Sequence, residues 1–161
     1  TPCGTLFPYT TLFRSDNDRI SHFALAANDY VPQLGAMVLH GLTNKPIETL
    51  IPLAKSWKTP PPIEILKGAG ELIYSKEQKA FLLEALNDNI EFIIEASENK
   101  PIVNPAFIIS KRDTNASVFV NGNKIDKEAM KQGFERDSKG NVRLVIWLDF
   151  TSEERTFFKI I

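Results

Sequence analysis

Histidines, carboxylates and large aromatics are the residues of this chain that could do chemistry. There are two histidines, His22 and His40, and one cysteine, Cys3. His22 follows Ser21 and leads into the apolar run FALAA at 23–27. An imidazole there could act as a general base, or contact a sugar, in an active site completed by chain upstream of it. It would serve equally as a partly buried histidine at a domain junction, and His22 is the one residue singled out as a catalytic candidate. His40 precedes Gly41 near a helix end, where its charged form would favour the helix dipole. Neither H-x-H nor H-x-x-x-H spacing occurs, and Cys3 stands alone, so no zinc set and no metal are expected. Asp16-Asn17-Asp18 opens like a calcium loop but lacks its glycine and closing glutamate.

The carboxylates Asp29, Glu48, Glu84, Glu91, Glu95 and Asp149 could flank a glycosidic bond as acid and base. Nothing in their spacing selects a pair, and Glu91 and Glu95 read as a solvated strand face. A Ser–His–Asp set drawn from distant positions stays open. There is no G-x-S-x-G elbow, no Walker A string and no G-x-G-x-x-G, so no nucleotide or other cofactor is expected.

Trp147 is the best candidate for a ligand contact. Val142, Leu144, Ile146, Leu148 and Phe150 alternate with Arg143, Val145, Trp147 and Asp149. Period two puts the first set inside and the second outside. A flat aromatic on an outer face can stack on a sugar ring. Arg143 and Asp149 complete the candidate ligand-binding set. The competing reading is that Trp147 covers a second sheet or a helical segment. Trp57 ends an apolar stripe and reads as a core anchor.

The elements that must position these residues fall on either side of Thr59-Pro60-Pro61-Pro62, a stiff, extended stretch. Before it the pattern is helical. Val31, Leu34, Val38 and Leu42 predict a short amphipathic helix over about 30–40. Ile47, Leu50, Ile51, Ala54 and Trp57 form a second stripe, with Asn44 as a cap and Pro46 in the first turn. Pro52 lies inside that stripe and predicts a kinked or broken helix.

After the prolines the pattern is strand. Segments 63–66, 90–96, 104–110, 142–150 and 155–161 read as strands. Val118-Phe119-Val120-Asn121-Gly122 signals a tight hairpin, because both turn residues tolerate positive φ. Residues 71–86 fit either a hairpin turning at 75–78 or a helix opened by the Ser75-x-x-Gln78 box. The hairpin agrees better with its neighbours. Residues 127–132 predict one helical turn, 133–137 a strand, and 151–154 a turn. Seven to nine short strands with regular turns predict a mainly β fold, an antiparallel β-sandwich preceded by a short helical segment.

Composition sets outer limits. Hydrophobic residues make up 43% and charged residues 24%, which suits a packed globular domain. The net charge of −1 argues against a nucleic-acid partner, and no apolar run is long enough for a membrane-spanning helix.

Residues 5–15, TLFPYTTLFRS, match codon by codon the translation of a common short-read sequencing adapter. Residues 1–15 are therefore expected to be a disordered artefact, excluded from fold reasoning. The expected organisation is then 16–59 as the helical end of a missing upstream domain and 60–161 as the sandwich. Cys3 falls in the excluded stretch, and no leader could be seen.

The segments PIVNPAFIISKR, ASVFVNGNKI and RLVIWLDF are similar to the C-terminal β-sandwich regions of large bacterial polysaccharide-degrading enzymes. The V-x-V-N-G-x-x-I hairpin, here Val118 to Ile125, recurs in them. LHGLTNKPIETLIPLAKSW resembles the last helices of a preceding domain running into such a sandwich. The resemblance covers about residues 30–161. It implies a non-catalytic accessory domain with a structural role and weak polysaccharide contact. It implies a missing catalytic domain as partner, a glycoside hydrolase or polysaccharide lyase, and a secreted or periplasmic setting. No catalytic residue of such enzymes maps onto this chain. The rival expectations are an autonomous binding module for carbohydrate or protein, and an active site shared through His22.

Overall fold

The computed structural model describes residues 45–161. The adapter-like stretch, the helix expected at 30–40, His22 and His40 lie outside the described residues. Those described fall into two compact units. One contains the helix α1 (Ile47–Lys58) and the turn residues 76–78, and the other the remaining chain from Thr59 onward.

In α1, Leu50 and Ala54 are buried at consecutive turns of the predicted stripe. Pro52 sits inside the helix, which continues through it to Lys58 instead of breaking. A proline deprives the helix of one backbone donor. The Thr49 amide and hydroxyl both donate to the Pro46 carbonyl to close the first turn.

The second unit is mainly β and antiparallel. Its strands are β1 (Ile63–Lys67), β2 (Ala69–Ser75), β3 (Ala80–Ala85), β4 (Ile90–Ile94), β5 (Ile102–Val103), β6 (Ala106–Ser110), β7 (Val118–Val120), β8 (Asn123–Lys124), β9 (Met130–Arg136), β10 (Val142–Leu148), β11 (Thr151–Ser152) and β12 (Thr156–Ile160). They form two five-stranded sheets, ordered β1-β4-β12-β7-β8 and β2-β3-β6-β10-β9, with a small β11-β5 pair. Among the described strands, β3 and β6 alone run parallel. The chain leaves β3 for β4 in the other sheet and then returns, so the two arrive side by side pointing the same way.

Alternation explains the core. Phe81 and Leu83 of β3, Phe107 and Ile109 of β6, and Leu144, Ile146 and Leu148 of β10 come from one sheet. Ile90, Phe92 and Ile94 of β4, Val118 and Val120 of β7, and Phe158 and Ile160 of β12 come from the other. All belong to one buried cluster. Residues 71–86 form the hairpin, not the helix, turning at 76–79. The Asn121-Gly122 turn has φ of 49° and 84°, as a two-residue hairpin with right-handed strand twist requires. The Asn121 amide donates to the Phe157 carbonyl and its Oδ1 accepts from the Phe157 amide, extending the ladder past the strand end.

Two sequence expectations need correction. The helical turn over 127–132 stops at Ala129 as a short 3-10 turn (Lys127–Ala129), and β9 starts at Met130. Residues 130–132 pair with β10, and a long-range ladder outweighs weak local helical preference. Residues 151–154 do not form a simple turn, because Thr151 and Ser152 pair with Val103 and Ile102. A two-residue strand is too short to show periodicity.

Buried Arg112 ties two inter-sheet connections together. Its Nη1 donates to the Asp88 carbonyl at 2.9 Å and its Nε to the Thr114 carbonyl at 3.4 Å. On the open side of the sandwich, Gln132 accepts from the Ala116 amide at 2.8 Å and donates to the Ala116 carbonyl at 3.1 Å. Its amide thus acts as a stand-in strand partner across the two sheets.

Candidate functional site

The outer face of the β2-β3-β6-β10-β9 sheet carries the predicted ligand residues. Arg143, Val145 and Trp147 are successive outward positions on β10, half-buried along their length. The antiparallel register sets Trp147 opposite Lys131 and Arg143 opposite Glu135 on β9. Lys131 Nζ stands 5.2 Å from the centre of the Trp147 ring. Arg143 Nη2 lies 2.8 Å from Glu135 Oε1. On the other side, Ser110, Ile108 and Ala106 of β6 lie opposite Arg143, Val145 and Trp147. Glu84 of β3 continues the polar row and pairs with Lys111.

Between the Arg143 row and the Trp147 row runs an apolar row of Ile73, Leu82, the buried Ile108 and Val145, one each from β2, β3, β6 and β10. The face is thus an aromatic ring and an aliphatic strip bordered by fixed charges. Such a surface can accept the apolar face of a ring and give hydrogen bonds at its margin.

Of the three predicted ligand residues, Arg143 and Trp147 lie within β10 on one outward row. Asp149 lies one residue beyond β10, exposed. Its amide donates to the carbonyl of Ala129, the last residue of the 3-10 turn that leads into β9. Sequence reading missed Lys131 and Glu135. The signal was present, since a hairpin closed by Asp137 and Asn141 pairs 131 with 147 and 135 with 143.

That hairpin is locked by Asp137. Its Oδ1 accepts from the Lys139 and Asn141 amides at 2.8 and 2.9 Å, and its Oδ2 from the Asn141 side chain at 3.0 Å. Hydrogen bonds from Asn141, side chain first, hold its pKa below the ordinary 3.8. The folded chain then holds fewer protons here than the unfolded chain. The stabilisation is complete above the unfolded pKa and lost as pH falls through the folded one. The Lys139 and Asn141 amide resonances are expected to titrate with a midpoint below 3.8 and to stop titrating in Asp137→Ala. A midpoint at or above that value would contradict the lock.

The remaining candidates are dispersed. Glu95 bonds Arg155 at 2.8 Å, and Lys159 Nζ lies 3.6 Å from Glu91, all on the outer face of the other sheet. Ile93 between the two glutamates is buried, so that face is not simply solvated. The Tyr74 hydroxyl is buried with no hydrogen-bond partner, and burial raises its pKa, which keeps it protonated. Among the described residues no group of three His, Cys, Asp or Glu could hold a metal. No helix among them is long and apolar enough to cross a membrane. No protein-family model, curated protein or solved structure matches the chain.

Proposed function

We propose that this chain is the non-catalytic C-terminal β-sandwich of a larger carbohydrate-active enzyme, structural in role, with a weak glycan contact on the Trp147 face. The observation that carries this reading is the half-buried Trp147 ring on an outward face, with Lys131 above it and the Arg143–Glu135 pair four residues along. The enzyme's chemistry, glycoside hydrolysis or polysaccharide elimination, belongs to a domain preceding the sandwich. Bonds from Arg143 and Lys131 to sugar hydroxyls would orient a ring laid on Trp147. A second reading, an autonomous binding module, is favoured by the single core that the sandwich strands build among themselves.

Native electrophoresis through gels containing soluble polysaccharides tests the contact. The full chain is expected to be retarded by at least one polysaccharide. Trp147→Ala should weaken that binding about threefold to tenfold, the scale of one aromatic contact. The variant's melting curve is recorded alongside to separate binding from folding. Retardation of the variant equal to that of the parent chain would remove Trp147 from the contact. Release of sugar products by the chain alone would overturn the non-catalytic assignment.

A further inference from the structure

The two five-stranded sheets have four edges, β1, β8, β2 and β9, and three of them are blunted. β1 is interrupted by a register shift between Ile65 and Lys67. β2 carries another between Ala69 and Leu72. β8 has two residues. β9 differs: all seven of its residues pair with β10 without irregularity. Among the described residues, no strand pairs with its other side. Lys131, Gly133, Phe134 and Arg136 are exposed, and a Cβ placed on Gly133 would meet nothing within 4 Å. A long, regular edge with no strand partner among the described residues is a template for another strand.

We propose that β9 pairs antiparallel with β9 of a second copy of this chain, about a two-fold axis through Gly133. The charges of the strand choose this occupant. Gly133 is the midpoint of β9, so this register alone uses every residue of the strand. It sets Lys131 opposite the partner's Glu135 and Glu135 opposite the partner's Lys131, giving two cross-strand ion pairs on the outer face. On the inner side Phe134, 48% exposed in the single chain, lies opposite the partner's Gln132. The glycine pair at the axis lets the two backbones approach without side-chain interference. The dimer joins the two Trp147-bearing sheets into one, but its formation does not depend on glycan binding.

The test is sedimentation equilibrium of the full chain over a range of concentrations. A species of twice 18.1 kDa is expected. K131E and E135K each place like charges opposite one another at two symmetric positions, and each should weaken association about tenfold or more. An equimolar mixture of the two variants restores complementarity at both positions and should recover the dimer. Amide hydrogen exchange gives a readout that needs no variant: β9 amides should gain protection as concentration rises. A chain that stays monomeric throughout overturns the proposal. So does a dimer that forms with K131E unimpaired, or with β9 amides unprotected, since another surface would then be responsible.

Discussion

Phe158→Ala is expected to remove about 3–5 kcal/mol of folding free energy. Phe158 is fully buried on β12, which pairs with β4 on one side and β7 on the other. Its ring stacks on Phe92 at 5.3 Å and 8°, meets Phe107 at 5.6 Å, and meets Phe150 edge-on at 5.9 Å. Phe107 in turn stacks on Phe81 at 5.7 Å. Phe158 and Phe107 belong to different sheets, so the ring is a contact between layers. Alanine would remove its transfer free energy and leave a cavity whose walls are held by the ladders. Whole domains are stable by only about 5–15 kcal/mol, so the variant should be near the limit of folding. Urea titration followed by circular dichroism checks this. The midpoint should fall sharply with the slope unchanged, and Phe158→Leu should lose much less. A loss below about 1 kcal/mol would mean that the ring does not fill an inter-sheet core.

Gly68→Ala is expected to cost about 2–5 kcal/mol, combining left-handed backbone strain with overpacking. Gly68 joins β1 to β2 with φ of +77°, and its carbonyl accepts from the Leu86 amide at 2.9 Å. A Cβ there would lie 1.9 Å from the Asn89 carbonyl oxygen and 2.8 Å from Asn87 Oδ1. The nearest obstacle is backbone, so no side-chain rotation relieves it. The 87–89 connection cannot simply move aside, because buried Arg112 holds the Asp88 carbonyl. Gly140→Ala is the matched control: it shares the left-handed backbone, with φ of +85°, but its Cβ meets nothing within 4 Å, so its effect should stay near the strain alone, about 1–2 kcal/mol. Thermal melts of the two variants side by side test the contrast. Equal stabilities would show that the 87–89 connection yields freely.

Much of the sandwich was legible because period two survives in its longer strands. Leu144, Ile146 and Leu148 are buried, as their spacing predicts, and so are Ile90, Phe92 and Ile94. Asn121-Gly122 marked its own turn by backbone chemistry. Legibility failed where partners replace pattern. β5 and β11 have two residues each and exist only through each other. Met130, Lys131 and Gln132 look helical by composition and become strand because β10 lies beside them. At the candidate site, Trp147 and Arg143 stood out by residue type. Lys131 and Glu135 did not, because an isolated lysine or glutamate acquires meaning only from the residue opposite it.

Alternation and turn chemistry are local, and by themselves they determined the β class, the inward residues of the long strands and the Asn121-Gly122 hairpin. Tertiary structure alone decided that β6 lies parallel to β3, that β12 lies between β4 and β7, and that among the described residues no strand covers the outer edge of β9. The physical reason is that strands pair through backbone groups that every residue shares. Neighbours are therefore chosen by the joint burial of both inner faces, a property of the whole sandwich.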